Sequence, residues 1–101
     1  MKNSNKILYS VSGNIAKLTI NRPERRNALD AESLEQINIL MDEAESDEKV
    51  RVILITGQGD TFSSGFDLKD QMEKAPRGKQ WKPILELDHR TIMRFWNSPK
   101  P

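Results

Sequence analysis

The stretch Val50–Lys69, VRVILITGQGDTFSSGFDLK, decides how this chain folds. Val52-Ile53-Leu54-Ile55 carries no charge and is rich in β-branched side chains, the pattern of a strand covered on both faces. Gly57 and Gly59 break that run, and Gly65 permits a turn that bulkier residues resist. Ser63-Ser64-Gly65-Phe66-Asp67 then bends into a helix start. A strand that ends in such a bend leaves backbone N–H groups unpaired and pointing outward. They can hold a phosphate, a carboxylate, or the oxygen of a thioester as it becomes an enolate. By local sequence alone, the same bend also reads as a plain tight turn before a helix.

Outward from this stretch the chain is simply organised. Ile7–Val11 and Ile15–Ile20 alternate apolar and polar residues around Ser12-Gly13-Asn14, which predicts a β-hairpin. Pro23 prevents the second strand from continuing, so Asn21–Asn27 reads as a loop. Asp30 is placed to cap a helix, and Glu32 suits its positive end. Leu34, Ile37, Met41 and Ala44 follow at helical spacing, one stripe for packing on a sheet. After Gly65 a short helix is expected from about Leu68 to Glu73. Ala75–Lys79 is a polar loop, the segment most expected to move. Pro83 suits the first turn of a last helix, whose expected apolar face is Leu85, Ile92, Phe95 and Trp96, with Pro99 after its end. The order β-β-α-β-α-α, with a long connection after the hairpin, predicts an α/β layered fold.

Composition excludes several functions. Of the 101 residues, 31% are charged and 36% hydrophobic, with a formal net charge of +1, so neither nucleic acid nor an anionic membrane is an expected partner. There is no cysteine for disulfides or thiolate sites, and no metal site is expected. The polar start Met1–Lys6 offers no long apolar stretch of the signal-peptide kind, and no run reaches membrane-spanning length, so a cytoplasmic location is expected. Gly57-Gln58-Gly59 lacks the third glycine of a dinucleotide fingerprint. Trp81 and Trp96 read as packing or subunit contacts rather than base-stacking residues.

Several segments in order resemble the crotonase (enoyl-CoA hydratase/isomerase) superfamily. They are Leu18-Thr19-Ile20-Asn21-Arg22-Pro23, Arg26-Asn27-Ala28-Leu29, Asp47 to Gly57, Phe62-Ser63-Ser64-Gly65-Phe66-Asp67-Leu68 and the closing Pro99-Lys100-Pro101. The resemblance covers nearly everything after about Ile7. It implies a crotonase-like α/β spiral of β-β-α units, of which residues 1–101 form the N-terminal portion, ending before the family's second oxyanion-hole loop. A complete, shortened protein is the alternative.

What the resemblance implies for chemistry is specific. Enoyl thioester chemistry builds charge on the thioester oxygen, and a well-placed N–H donor lowers the barrier by roughly 3 kcal/mol. In the family one donor follows the glycine of the bend; here that is the backbone N–H of Phe66, with Gly65 shaping the approach. The Phe66 side chain would wall the acyl pocket. Arg26, Asn27, Ala28 and Leu29 match the segment whose backbone lines coenzyme A, and Arg25 and Arg26 are candidates for its phosphates or are simply solvated. Asp67, Leu68 and Lys69 would continue the lining, with Lys69 otherwise an ordinary surface lysine. Coenzyme A is expected as part of the substrate, with no permanently bound cofactor.

The family's acid–base glutamates and second oxyanion donor fall beyond Pro101. Asp30, Glu32, Glu35, Asp42, Glu43 and Glu45 have the spacing of a solvated helix face. His89 is the single histidine. Some family members that dehalogenate aroyl-CoA thioesters carry a histidine base on the equivalent helix; the structural alternative is a plain helical histidine. Asp88 falls on a different helical face from it, so the two form no obvious dyad. The expected function is therefore acyl-CoA hydration or isomerisation by a homotrimer or dimer of trimers, with the 101-residue chain alone inactive. The alternatives are aroyl-CoA dehalogenation, thioester hydrolysis, carbon–carbon bond cleavage, or a noncatalytic binding module.

Overall fold

The computed structural model describes residues 6–74 and 77–101. Strands β1 (Ile7–Ser12) and β2 (Ile15–Ile20) form an antiparallel hairpin, and β3 (Val52–Gly57) pairs parallel with β2. The sheet order is β1-β2-β3. Helix α1 (Ala31–Ser46) is the crossover between β2 and β3, the long connection that a parallel pair requires. Helix α2 (Leu68–Lys74) follows the bend, and α3 (Trp81–Asn97) closes the chain with Pro83 in its first turn. Short 3₁₀ turns at Pro23–Arg25 and Gly78–Gln80 were not expected. Met1–Asn5 of the polar start and Ala75 and Pro76 of the expected loop lie outside the described residues.

The core lies between the sheet and α1. Ile7, Leu18, Ile20, Ile37 and Met41 form one cluster, and Ala16, Ala44 and Val50 a second. The predicted stripe of α1 is the buried one: Leu34, Ile37, Met41 and Ala44 are each at most 1% exposed. Full burial of each large aliphatic side chain is worth about 1.5–3 kcal/mol. Lys100 reaches back to hydrogen-bond the carbonyls of Ala44 and Asp47 at 2.8 Å, closing the C-terminal end of α1.

Three expectations are corrected. First, β3 is not covered on both faces. Ile53 and Ile55 are half-buried, while Val52 and Leu54 are exposed. Among the described residues the strand is the last of the sheet and the core packs on one of its sides; at its free edge the Ile53 N–H donates to the Pro101 carbonyl at 2.8 Å. Second, Leu85, Ile92 and Trp96 are exposed and Phe95 is half-buried; the buried residues of α3 are Asp88 and Thr91. Helix α3 docks on α1 through polar contacts together with Phe95, which packs against the cluster holding Ile37 and Met41. Asn38 donates to Thr91 Oγ1 at 2.8 Å, and Arg94 reaches the Asn38 carbonyl, Asp42 and Glu45. Of the expected apolar face, Leu85, Ile92 and Trp96 lie off this interface and Phe95 lies on it. Third, Asp30 does not belong to a solvated face; it is 7% exposed.

Asp30 is the α1 N-cap, accepting from Ser33 N and Ser33 Oγ at 2.9 and 2.6 Å. It also meets Lys6 Nζ at 2.7 Å and Arg22 at 3.6 Å. Burial by itself would raise its carboxyl. The Lys6 hydrogen bond, the two Ser33 donors and the Arg22 charge outweigh that and hold it at about 2. Because the folded value lies below the unfolded one, the stabilisation is complete above about pH 4 and is lost as the pH falls from 4 toward 2. It amounts to on the order of 2 kcal/mol. Asp30→Asn is expected to lower the unfolding free energy by about that much at pH 7, with the gap closing below about pH 3. Urea melts across that range check this; a gap constant with pH would disprove it.

Gly57 ends β3 because the following loop folds over it. A Cβ there would lie 2.3 Å from the Phe62 carbonyl oxygen and 2.4 Å from that of Thr61. Gly57→Ala must displace backbone, so a loss of about 1–3 kcal/mol is expected. Chemical shifts of Phe62 and Phe66 would change with it, whereas a thermal midpoint equal to the parent's would contradict this packing.

Candidate functional site

Two loops, one after β2 and one after β3, build the site by fastening to each other. Leu29 N donates to the Gly65 carbonyl and Asp67 N donates to the Leu29 carbonyl, both at 2.8 Å. This is a parallel bridge between Leu29 and Phe66. In that pattern the neighbours of Phe66 make both bonds, so its own N–H and C=O point to the opposite side. Among the described residues the Phe66 N–H has no acceptor. Gly65 has φ +104°, a conformation that L side chains rarely adopt, although a Cβ there would meet nothing within 4 Å. The glycine is required by backbone shape, not by crowding.

Asn27 is the hub of the fastening. It is 1% exposed with φ +58°. Its Oδ1 accepts from Arg22 N at 2.8 Å, and its Nδ2 donates to the carbonyls of Gln58 and Thr61 at 2.9 and 2.6 Å. Ser63 Oγ donates to the Asn27 carbonyl at 2.8 Å and accepts from Gly65 N at 3.0 Å. Asparagine is among the few non-glycine residues that tolerate this backbone region.

Beneath the bend lies a buried charge cluster. Arg22, 8% exposed, meets Asp67 at 3.2 Å and donates to the Ala28 carbonyl. Arg25 meets the other Asp67 oxygen at 3.4 Å. Asp67 Oδ1 also accepts from Asp70 N at 3.1 Å, at the start of α2. Burial pushes the Asp67 carboxyl up, but the Asp70 amide, the Arg22 hydrogen bond and both arginine charges together hold it below its usual value.

The expected residues therefore divide. Gly65 and Phe66, with Leu29, Phe62, Ser63, Ile92 and Phe95 among their neighbours, line a cavity of about 480 Å³. Phe66, Leu68 and His89 share an adjacent groove of about 570 Å³ with Trp81, Leu85 and Ile92. In Arg26–Leu29 every backbone N–H is engaged internally, to Pro23, Arg22, Arg25 and Gly65 in turn. The four carbonyls accept from Ser64 N, Ser63 Oγ, Arg22 and Asp67 N. What these residues offer a ligand is the second lone pair of each carbonyl and the exposed Arg26 side chain. The Asn27 side chain and the Asp67 carboxylate are taken up in internal hydrogen bonds and ion pairs. Arg25, a candidate for a phosphate or for plain solvation, is paired with Asp67. Lys69 is exposed and pairs with nothing among the described residues. The Arg22–Asp67 pair and the Gln71–Asp88 contact have no local sequence signal, because each spans distant segments. The positive φ at Asn27 could have been suspected from its residue type alone.

Comparison with known proteins fits this geometry. Over 98 residues the chain is 40% identical to trans-2-decenoyl-[acyl-carrier-protein] isomerase of Streptococcus mutans, covering 94% of this chain and 37% of that protein. It is 32% identical over 95 residues to (E)-benzylidenesuccinyl-CoA hydratase of Thauera aromatica, covering 78% and 37%. An enoyl-CoA hydratase/isomerase crystal structure from Xanthobacter autotrophicus Py2 superposes with a TM-score of 0.91 at 54% identity, covering 95% of this chain and 36% of that one. The chain thus spans little more than a third of the length of these relatives, and its fold is the N-terminal part of the crotonase fold. Residues 10–100 match the enoyl-CoA hydratase/isomerase family model, and the chain belongs to that family.

Proposed function

We propose that the protein carrying this chain hydrates or isomerises an acyl thioester, with the Phe66 backbone N–H as one donor to the thioester oxygen. The observation that carries this is the unpaired Phe66 amide, turned away from its bridge to Leu29 in a segment that lines an apolar cavity. A donor fixed before the reaction needs no reorganisation as charge develops, and low-polarity walls strengthen it. Coenzyme A enters as part of the substrate, with the exposed Arg26 as the candidate partner for its phosphates. The general acid–base groups and the second donor are assigned to the part of the family's length that this chain does not span. Exposed Trp96 would be covered on assembly into a trimer or dimer of trimers.

A second reading has its own support. His89 lines the same groove as Phe66, which supports an imidazole beside the acyl group, as displacement of halogen from an aroyl thioester would need.

Two variants separate the amide of Phe66 from its side chain. Phe66→Ala keeps the N–H and is expected to retain crotonyl-CoA hydration or enoyl-CoA isomerisation within about tenfold. Phe66→Pro removes the N–H and is expected to lose about 100- to 1,000-fold in kcat. Equal rates for the two variants would sink the assignment. Halide release from a halobenzoyl-CoA that disappears in His89→Gln would establish the second reading in its place.

A further inference from the structure

The bend that carries the Phe66 amide also carries a buried anion. Asp67 is the next residue in the chain and is 5% exposed. Burial pushes its carboxyl up, yet the Asp70 amide, the Arg22 hydrogen bond and the charges of Arg25 and Arg22 hold it below its usual value, so it is ionised at neutral pH. A negative charge one residue from an amide that is to receive negative charge opposes the reaction, and weak solvent screening makes that opposition stronger.

Two arginines answer this charge unequally. Arg22 meets Asp67 Oδ2 at 3.2 Å, but it also meets Asp30 at 3.6 Å, so one guanidinium is divided between two carboxylates. Arg22 further donates to the Ala28 carbonyl and is built into the loop. The other Asp67 oxygen, Oδ1, is met by Arg25 at 3.4 Å and by the Asp70 amide at 3.1 Å. Arg25 thus supplies the cancellation that a shared Arg22 leaves incomplete. Its side chain is 43% exposed, and an ion pair that open to water contributes little to folding. Stability alone does not account for the pairing.

We propose that Arg25 is a positioning residue for the thioester chemistry: it holds and cancels the Asp67 carboxylate, so that the Phe66 N–H meets the developing oxyanion without an uncompensated charge behind it. This rests on the Phe66 reading above and adds a charge requirement to it. The competing role for Arg25 is a ligand to a coenzyme A phosphate, and the two leave different kinetic marks. A phosphate ligand binds ground state and transition state alike, so its loss raises KM, and only for a substrate that has phosphates. A group that cancels charge beside the oxyanion acts as that charge develops, so its loss lowers kcat whatever carries the thioester.

The test uses the polypeptide as its gene encodes it, with one enoyl group presented on coenzyme A and on pantetheine, which has no phosphate. Arg25→Gln is expected to lower kcat about three- to tenfold on both thioesters, with KM unchanged within about twofold. Arg25→Lys keeps the charge and recovers most of the rate. Adding Asp67→Asn to Arg25→Gln removes the uncancelled charge but keeps an oxygen for the Asp70 amide, so kcat rises above that of Arg25→Gln. Thermal melts confirm that each variant is folded; a merely structural Arg25 would lower the melting midpoint and leave the kcat of folded protein unchanged. An unchanged kcat in Arg25→Gln, a rise in KM confined to the coenzyme A thioester, or a folded double variant no faster than Arg25→Gln overturns the proposal while the Phe66 donor stands. Parent-like rates in Phe66→Pro overturn the donor and this inference with it.

Discussion

The parallel bridge between Leu29 and Phe66 is the constraint on which the site depends. It joins two loops that have no sheet of their own and decides which way the Phe66 amide faces. A single hydrogen bond contributes only about 1 kcal/mol, so two of them would not fix a loop. The bridge holds because Asn27 ties the first loop to the Gln58 and Thr61 carbonyls, and Ser63 ties the second loop back to the Asn27 carbonyl. Each bond removed would leave another buried group unpaired. That is costlier than the bond itself and makes the fastening cooperative.

Charge supports the same geometry from below. Arg22 stands at the end of β2 and meets both Asp30 and Asp67, which bond the first turns of α1 and α2. Asp70 of α2 in turn accepts from Ala31 N, so the two helix starts also hold each other. Burying ions costs solvation, and such pairs are weak evidence for net stability. Their effect here is positional: one guanidinium sets where both helices begin relative to the strand, and the bend that carries Phe66 lies between those points.

Local chemistry made much of this legible. Alternation gave the hairpin, the Leu34–Ala44 spacing gave the buried face of α1, and Asp30 was recognisable as a cap. The element order follows from these with the charge-free run at Val52–Ile55. What stayed hidden is non-local. Whether Val52 and Leu54 are covered depends on how many strands flank β3, which its own residues do not state. Nothing near Asp67 in sequence shows that Arg22, on the other loop, is its partner. Gly65 and Phe66 stood out through resemblance to a family. Gln71 and Asp88 did not, since a contact between two helices leaves no periodic trace in either.

Helix α3 shows how the hidden part shapes the site. Its composition is amphipathic, and the simple expectation turns the apolar stripe inward. Instead Thr91 bonds Asn38, and Arg94 spans the Asn38 carbonyl, Asp42 and Glu45, so polar groups, joined by Phe95 alone of the expected stripe, face α1. Leu85 and Ile92 are thereby left on the groove beside Phe66. Had α3 docked by its apolar stripe, those side chains would lie in the core and the groove would lose a wall. The polar docking of one helix and the apolar lining of the groove are therefore a single arrangement, and the same rotation sets His89 and Asp88 against the segment whose amide is unpaired.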